Sequence, residues 1–300
     1  MRTHLLLAAW LSTGAAFAAA PAADKPPLTA DVLAAAMPAD WRRPDPANTL
    51  YLDLPAGRVI IELAPRFAPR HVANLKTLVR KNFFDGLPVG RVQDNYVTQW
   101  GDIDEVRGEL AGKPRLPDET TFAWSAALPF VKLPDTDGYA PETGWIDGFP
   151  VGVERKPAAR AWMTHCYGTI GVGRGDWPDT GDDTQLYAVI GQAPRHLDRN
   201  IVLFGRVLRG AEYLSSLPRG SDALGFYSDA EKPQRALIRR ARLAADLPES
   251  ERSAVEILRT DTPLFAKYVE ARRNRRESWF VRPAGHIDVC NVAIPVRDAK

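Results

Sequence analysis

The pattern of apolar positions first predicts a β-hairpin followed by a helix. Residues 48–63, NTLYLDLPAGRVIIEL, form two strand-like runs divided by a Pro-Ala-Gly turn at 55–57, which is a hairpin signal. In the segment 68–86, apolar positions recur at the spacing of one helix face: Val72, Leu75, Leu78 and Val79. Gly86 ends that segment, so we expect the helix to stop before it.

Further strand-like runs are spread along the chain. The stretch 90–102, GRVQDNYVTQWGD, begins to alternate around Tyr96–Trp100, after the turn pair Asp94-Asn95. Later runs rich in β-branched and aromatic residues lie at 167–174, 184–191, 200–210 and 286–297. These runs predict a mainly β fold.

Two long segments do not fit this strand pattern. Residues 104–160 are rich in Pro, Gly, Asp and Glu, and we expect an insertion at about 111–161 with short elements of its own. Trp124, Trp145 and the adjoining Trp162 are expected to pin it. Within 216–285, three arginine-rich stretches (231–247, 249–260 and 262–279) resemble helices. We interpret their charged faces as solvated, and predict a helical insertion before a final strand at 286–297.

Composition narrows the class of protein. The chain has 300 residues, 45% hydrophobic and 25% charged, with a formal net charge of +2. These values fit one large or two small globular domains. A charge so near neutral gives no reason to expect nucleic-acid partners.

The N-terminus resembles a secretory signal peptide. Arg2 is followed by an apolar run, Leu5 to Leu11, and then by small residues with Ala-x-Ala options between 16 and 20, which is the layout of a cleaved export signal. We predict a signal peptide at 1–20, cleaved near residue 18–22, then a leader or linker at 21–47 with one short helix. The mature protein is expected to be periplasmic and without a membrane span. An uncleaved anchor is the alternative.

The only cysteines are Cys166 and Cys290. In an oxidising compartment an isolated pair is a disulfide candidate. Two buried thiols are the alternative, because sequence does not show whether the Cα atoms come within bridging distance.

Other chemistries find little support. There is no Gly-x-Ser-x-Gly motif, and the neighbours His165 and Cys166 would point to opposite faces of a strand. The loop 175–183 carries four aspartates, but their spacing does not match a calcium-binding EF-hand, and no His/Cys spacing fits zinc. We predict no metal and no cofactor.

The stretch 83–102, FFDGLPVGRVQDNYVTQWGD, resembles the segment of cyclophilins, the peptidyl-prolyl cis–trans isomerases, that carries an arginine, an aromatic residue and a glutamine before Gly-Asp. Residues 167–174 and 182–210 are similar to later cyclophilin segments, in the same order. The resemblance implies one domain at 48–300, built as a closed antiparallel β-barrel of about eight strands with capping helices. The C-terminal run at 286–297 resembles its closing strand.

The resemblance also implies a site that turns peptide bonds without a proton shuttle. Arg91 is the candidate catalytic residue, donating a hydrogen bond to the proline nitrogen in the twisted state. The remaining residues would form the proline pocket or hold the substrate backbone: Tyr96, Gln99, Val172, Gly173, Gln185, Tyr187, Leu197 and Ile201. The family usually has phenylalanine where Tyr96 and Tyr187 stand.

The resulting hypothesis is a periplasmic isomerase acting on proline-containing segments of exported client proteins. Two alternatives remain: a cyclophilin-fold chaperone or proline-peptide binding module with little turnover, and a calcium-dependent envelope protein.

Overall fold

The computed structural model describes residues 27–107 and 116–299. Within them, the helices are α1 (Thr29–Ala34), α2 (Pro69–Arg80), α3 (Ala211–Ser215) and α4 (Pro263–Arg273). The first ten strands are β1 (Trp41–Arg42), β2 (Thr49–Leu54), β3 (Gly57–Leu63), β4 (Val89–Val92), β5 (Val97–Gly101), β6 (Phe122–Ala123), β7 (Phe130–Lys132), β8 (Glu142–Ile146), β9 (Phe149–Glu154) and β10 (Arg160–Met163). The last six are β11 (Thr169–Val172), β12 (Gln185–Val189), β13 (Leu203–Arg209), β14 (Arg240–Leu243), β15 (Val255–Leu258) and β16 (Val296–Asp298).

An eight-stranded sheet forms the centre of the fold, in the order β14-β2-β3-β13-β11-β12-β5-β4. Its neighbouring strands all pair antiparallel. The sheet curls until its two edges approach, where Pro88 and Leu237 form an isolated bridge and the Val89 amide donates to the Ala236 carbonyl at 2.8 Å. The predicted mainly β fold with an antiparallel sheet of about eight strands is therefore confirmed, with the edges joined by this short contact.

Strand alternation fills the inside of the curl. Leu50, Leu52 and Leu54 of β2 point inward with alternate residues of the other strands, as expected for side chains that alternate between two faces. Helix α2 covers this core with the predicted apolar face: Val72, Leu75, Leu78 and Val79 are all buried. Burial of each such side chain contributes about 1.5–3 kcal/mol, so the helix is held by its packing.

The insertion at 111–161 contains a second sheet, of order β6-β10-β9-β8-β7. Its apolar residues pack on the outer face of the main sheet, where Val151 and Met163 share a core with Val97 and Val189. Of the three tryptophans expected to pin it, Trp145 and Trp162 are buried and Trp124 is half-buried. Trp162 lies flat on Gly152, where an added Cβ would come within 2.5 Å of its ring.

The prediction of a helical insertion at 216–285 is wrong for most of that segment. Only α4 is an α-helix there, while β14 and β15 replace two of the three predicted helices. In β14, Ala241 and Leu243 are buried, whereas Arg242 points outward and forms an ion pair with Asp85. The arginines that resembled a helix face lie on the solvent side of a strand.

The predicted closing strand at 286–297 is also corrected. The strand that joins the edge of the main sheet is β14, which pairs with β2. From 286–297 only Val296 and Arg297 are in a strand, β16, which belongs to a third sheet of order β1-β15-β16. Helix α1 packs against α4, so the N-terminal and C-terminal segments form one flank of the molecule.

A disulfide ties this flank to the insertion. Cys166 follows β10 and is bonded to Cys290, with their Cα atoms 4.9 Å apart. No helix in the described ranges is long and apolar enough to cross a membrane. The predicted signal peptide at 1–20 lies outside the described residues.

Candidate active site

A cavity of about 800 Å³ opens on the outer face of the main sheet, beside the second sheet. It brings together all nine residues that the sequence predicts for the isomerase site: Arg91, Tyr96, Gln99, Val172, Gly173, Gln185, Tyr187, Leu197 and Ile201. They come from β4, β5, β11 and β12, from the turn between β4 and β5, and from the connections that follow β11 and β12.

Strand register explains why the central residues meet. Arg91 on β4 lies opposite Gln99 on β5, and Gln99 lies opposite Tyr187 on β12. Because side chains two positions apart share a face, Gln185 points the same way as Tyr187. Three neighbouring strands thus place a guanidinium, two amides and an aromatic ring in one row.

Arg91 is held by uncharged partners. Its Nε donates to the Leu224 carbonyl at 2.8 Å, and its Nη1 donates to Gln99 Oε1 at 3.2 Å. Its Nη2 donates to Gln93 Oε1. In residues 27–107 and 116–299 no carboxylate pairs with this guanidinium. Burial lowers the pKa of Arg91, but arginine stays protonated in proteins, so the site holds an unneutralised positive charge.

The two amides continue this network. Gln99 Nε2 donates to Gln185 Oε1 at 3.0 Å, and Gln185 Nε2 points to the Asp102 carbonyl at 3.4 Å. Gly173 allows this approach, since an added Cβ would lie 3.0 Å from Gln99 Nε2. Both amides are therefore oriented before any ligand arrives.

Two aromatic rings lie beside the charge. The rings of Tyr96 and Phe226 lie 5.9 and 5.3 Å from the Arg91 guanidinium carbon. Tyr96 stacks parallel to His196 with ring centroids 6.4 Å apart. Burial raises the pKa of Tyr96, so its ring lines the cavity as a neutral group.

Tyr187 forms a buried part of the lining. It is 5% exposed, and its hydroxyl lies 2.9 Å from His165 Nε2. Burial raises the pKa of Tyr187 far above its usual value. The hydroxyl that distinguishes this chain from the usual phenylalanine has a partner inside the protein.

The loop between β11 and β12 forms a second wall and is anchored from behind. His71 on α2 and Asp183 are both fully buried and lie 2.8 Å apart, Nδ1 to Oδ1. Burial raises the pKa of Asp183. Burial alone would lower the pKa of His71, but the bond to Asp183 outweighs it and raises that pKa.

The aspartates considered as calcium ligands have other contacts. Asp183 accepts from Asn74 at 2.8 Å, and Asp179 accepts the amides of Gly175 and Gly181 at 2.6 and 2.9 Å. Over the described residues, no group of three or more His, Cys, Asp or Glu side chains is arranged to hold a metal ion.

Leu224 and Phe226 were missed by the sequence analysis. They lie in the segment between α3 and β14, which runs along the edge of β4: the Gly220 amide donates to the Val92 carbonyl at 3.1 Å, and the Tyr227 amide donates to the Gly90 carbonyl at 3.2 Å. Nothing in the local pattern of this segment indicates which strand it contacts.

Comparisons with known proteins agree with this geometry. The family model described as cyclophilin type peptidyl-prolyl cis-trans isomerase/CLD matches residues 49–242. The chain is 27% identical over 179 residues to a probable peptidyl-prolyl cis-trans isomerase from Brucella suis, covering 60% of this chain and 76% of that protein. A Brucella abortus protein of the same description is 26% identical over the same coverage.

A solved structure resembles the whole fold. The crystal structure of cyclophilin AquaCyp293 from Hirschia baltica aligns with a TM-score of 0.70 at 25% identity, covering 88% of this chain and 96% of that one. The similarity therefore extends beyond residues 49–242, into the N-terminal or C-terminal segments.

Proposed function

Because this chain belongs to the cyclophilin-type peptidyl-prolyl cis-trans isomerase family, we propose that it accelerates rotation about X-Pro bonds in exported proteins, with Arg91 stabilising the twisted amide. The observation that carries the proposal is the position of Arg91 in a cavity that also holds aromatic and aliphatic side chains, paired with amides and a carbonyl instead of a carboxylate.

The reaction needs a charge of this kind. Rotation about a peptide C–N bond faces a barrier of about 18–20 kcal/mol, since twisting removes the amide resonance. In the twisted state the proline nitrogen regains a lone pair, which a planar amide does not offer. A donor aimed at that nitrogen binds the transition state more tightly than either planar isomer, which is the requirement for catalysis.

Arg91 has donors left for this role. A guanidinium carries five N–H groups, and the contacts to Leu224, Gln99 and Gln93 use three. One N–H on each Nη remains, held in a fixed plane by those contacts. A charge-assisted hydrogen bond contributes about 1.5–3 kcal/mol, so Arg91 accounts for about 10- to 150-fold of the acceleration, and the pocket must supply the rest.

The pocket and the amides fix the two ends of the rotating bond. Tyr187, Leu197 and Ile201 offer an apolar surface that suits a proline ring. Gln99 and Gln185 are oriented by each other and are placed to hold the substrate backbone. Rotation is then confined to one bond, because the ring and the preceding carbonyl are held separately.

Export is supported by the sequence and by chemistry. The first twenty residues have the layout of a signal peptide, and the Cys166–Cys290 disulfide suits an oxidising compartment. Substrates would then be proline-containing segments of proteins in the periplasm.

The test is an NMR exchange or protease-coupled assay on an Ala-Pro peptide. We expect wild type to accelerate exchange and Arg91→Ala to lose about 10- to 150-fold in kcat/KM. Arg209→Ala is the matched control, since Arg209 pairs with Asp298 at the surface, and it should retain full activity. A wild-type protein that binds the peptide without accelerating exchange would instead be a proline-peptide binding module.

A further inference from the structure

The hydroxyl of Tyr187 is unexplained by the proposed chemistry. A pocket that binds the apolar proline ring gains nothing from the hydroxyl of a tyrosine. Burying a hydroxyl without a hydrogen-bond partner also costs free energy. His165 is fully buried and does not line the cavity, yet its Nε2 lies 2.9 Å from this hydroxyl. The two rings lie nearly parallel, at 10°.

We propose that His165, with Asp198 and Arg195 behind it, is a positioning residue of the proline pocket: it holds the Tyr187 hydroxyl away from the bound ring, so that Tyr187 presents only its apolar ring to the substrate. The inference deepens the proposed function and rests on it.

The direction of each hydrogen bond follows from the charges. Arg195 Nε donates to Asp198 Oδ2 at 2.6 Å. Burial alone would raise the pKa of Asp198, but its bonds from His165 and Arg195 outweigh that effect and hold the pKa below its usual value. Asp198 is therefore a carboxylate, and His165 Nδ1, 3.0 Å from its Oδ1, must be the donor.

The protonation state of His165 then sets the direction in which the Tyr187 hydroxyl proton points. Burial lowers the pKa of His165, so the ring is neutral and its Nε2 has a free lone pair. Among residues 27–107 and 116–299, only the Tyr187 hydroxyl is close enough to donate to it. The hydroxyl proton therefore points toward His165 and away from the cavity.

The same network also fixes the turn that carries Leu197, on another side of the pocket. Asp198 also accepts the backbone amide of His165 at 2.9 Å, and it directly follows Leu197, which lines the cavity. Arg195 is 3% exposed, and its Nη1 and Nη2 donate to the two carboxylate oxygens of Asp137 at 2.9 and 3.0 Å. One buried chain of hydrogen bonds thus anchors both Tyr187 and the turn that carries Leu197.

A double-mutant cycle separates positioning from plain stability. In His165→Leu the hydroxyl has no acceptor and turns toward the pocket, so we expect KM for an Ala-Pro peptide to rise about tenfold with kcat nearly unchanged. In the Tyr187→Phe background the same substitution should change KM by less than about threefold, because no hydroxyl remains to be misplaced. His165→Gln, which keeps an acceptor near the Nε2 position, should recover most of the loss.

Equal KM effects of His165→Leu in both backgrounds would overturn the proposal, as would an unchanged KM in a folded His165→Leu protein. If that variant does not fold, His165→Phe, which keeps a flat ring but offers no acceptor, replaces it in the cycle with Tyr187→Phe, with the same non-additivity expected. A second measurement needs no variant: ¹⁵N NMR of wild type should show His165 protonated at Nδ1 only. Protonation at Nε2 would refute the proposal.

These measurements also distinguish a failure of the positioning role from a failure of the proposed function. If wild type does not accelerate isomerisation, the peptide Kd replaces KM in the cycle, and the histidine tautomer is measured without any substrate. The isomerase proposal then fails while the positioning role is still decided.

Discussion

The disulfide gives a prediction whose size follows from the fold. Cys166 and Cys290 are 124 positions apart in sequence, so the bond closes a loop that contains β11 to β15 and α4. Cross-linking so long a loop removes conformational entropy from the unfolded chain, and the chain-entropy relation gives about 4.9 kcal/mol at 25 °C for this length. Because that relation tends to overestimate, we expect the free energy of unfolding to fall by about 3–5 kcal/mol in Cys166→Ala/Cys290→Ala.

In the folded state, replacing the two cysteines adds little to this fall in the free energy of unfolding. Cys166 is buried and Cys290 packs against the same cluster, which contains Leu258 and Phe265. Alanine at both positions leaves no unpaired polar group there. Most of the loss should therefore come from the unfolded state, and the denaturant m-value should rise as that state expands.

The assay is equilibrium unfolding in guanidinium chloride, with wild type in its oxidised and reduced forms beside the double variant. Reduced wild type and the double variant should lose similar stability, since both lack the cross-link. Below the unfolding transition, kcat/KM should stay within about twofold of wild type because neither cysteine lines the cavity. A loss below about 1 kcal/mol with oxidised wild type as reference would refute the reasoning, and two free thiols in the protein isolated without reductant would remove its premise.

Three further predictions concern the walls of the cavity. Gly173→Ala places a Cβ 3.0 Å from Gln99 Nε2 and should raise KM for an Ala-Pro peptide about fivefold by displacing that amide. Phe226→Ala removes an aromatic ring beside the Arg91 guanidinium and should raise KM about three- to fivefold, while the half-buried position keeps the change in Tm small. Folding raises the pKa of His71, so the folded state holds that proton more tightly, and the stabilisation from His71, fully present below its unfolded pKa of about 6.5, is lost as pH rises through the folded pKa. His71→Asn/Asp183→Asn should flatten that slope between pH 5.5 and 8 in urea unfolding, and an unchanged slope would refute the assignment.

The parts of the fold that sequence predicted well are those with one dominant local signal. The hairpin of β2 and β3 is divided by a turn at residues 55–56, and α2 carries a clear apolar face. The row of Arg91, Gln99 and Gln185 came from the family resemblance, and strand register then explains it physically. In each case local propensity and tertiary packing favour the same structure.

The errors arise where local pattern and tertiary pairing disagree. Residues 240–243 read Arg-Ala-Arg-Leu, four positions that are too few to separate a period of 2.0 from one of 3.6. What makes them a strand is pairing with β2, almost 190 positions earlier. Leu224 and Phe226 were missed for the same reason, since their place in the site depends on contact with β4 and on no feature of their own sequence.

The second sheet explains how this chain tolerates a tyrosine at the floor of the pocket. A phenol there would leave a buried hydroxyl unpaired, at a cost of about 1–3 kcal/mol, unless an acceptor were supplied from behind the pocket. Strand β10 belongs to the second sheet and ends at Met163, two residues before His165, and the neighbouring Trp162 points its Nε1 at Asp198 from 3.4 Å. The sheet that covers the outer face of the barrel therefore also delivers the acceptor for Tyr187. Tyr187→Phe alone should therefore leave the proline-binding surface largely as it is, which the KM of that variant for an Ala-Pro peptide measures.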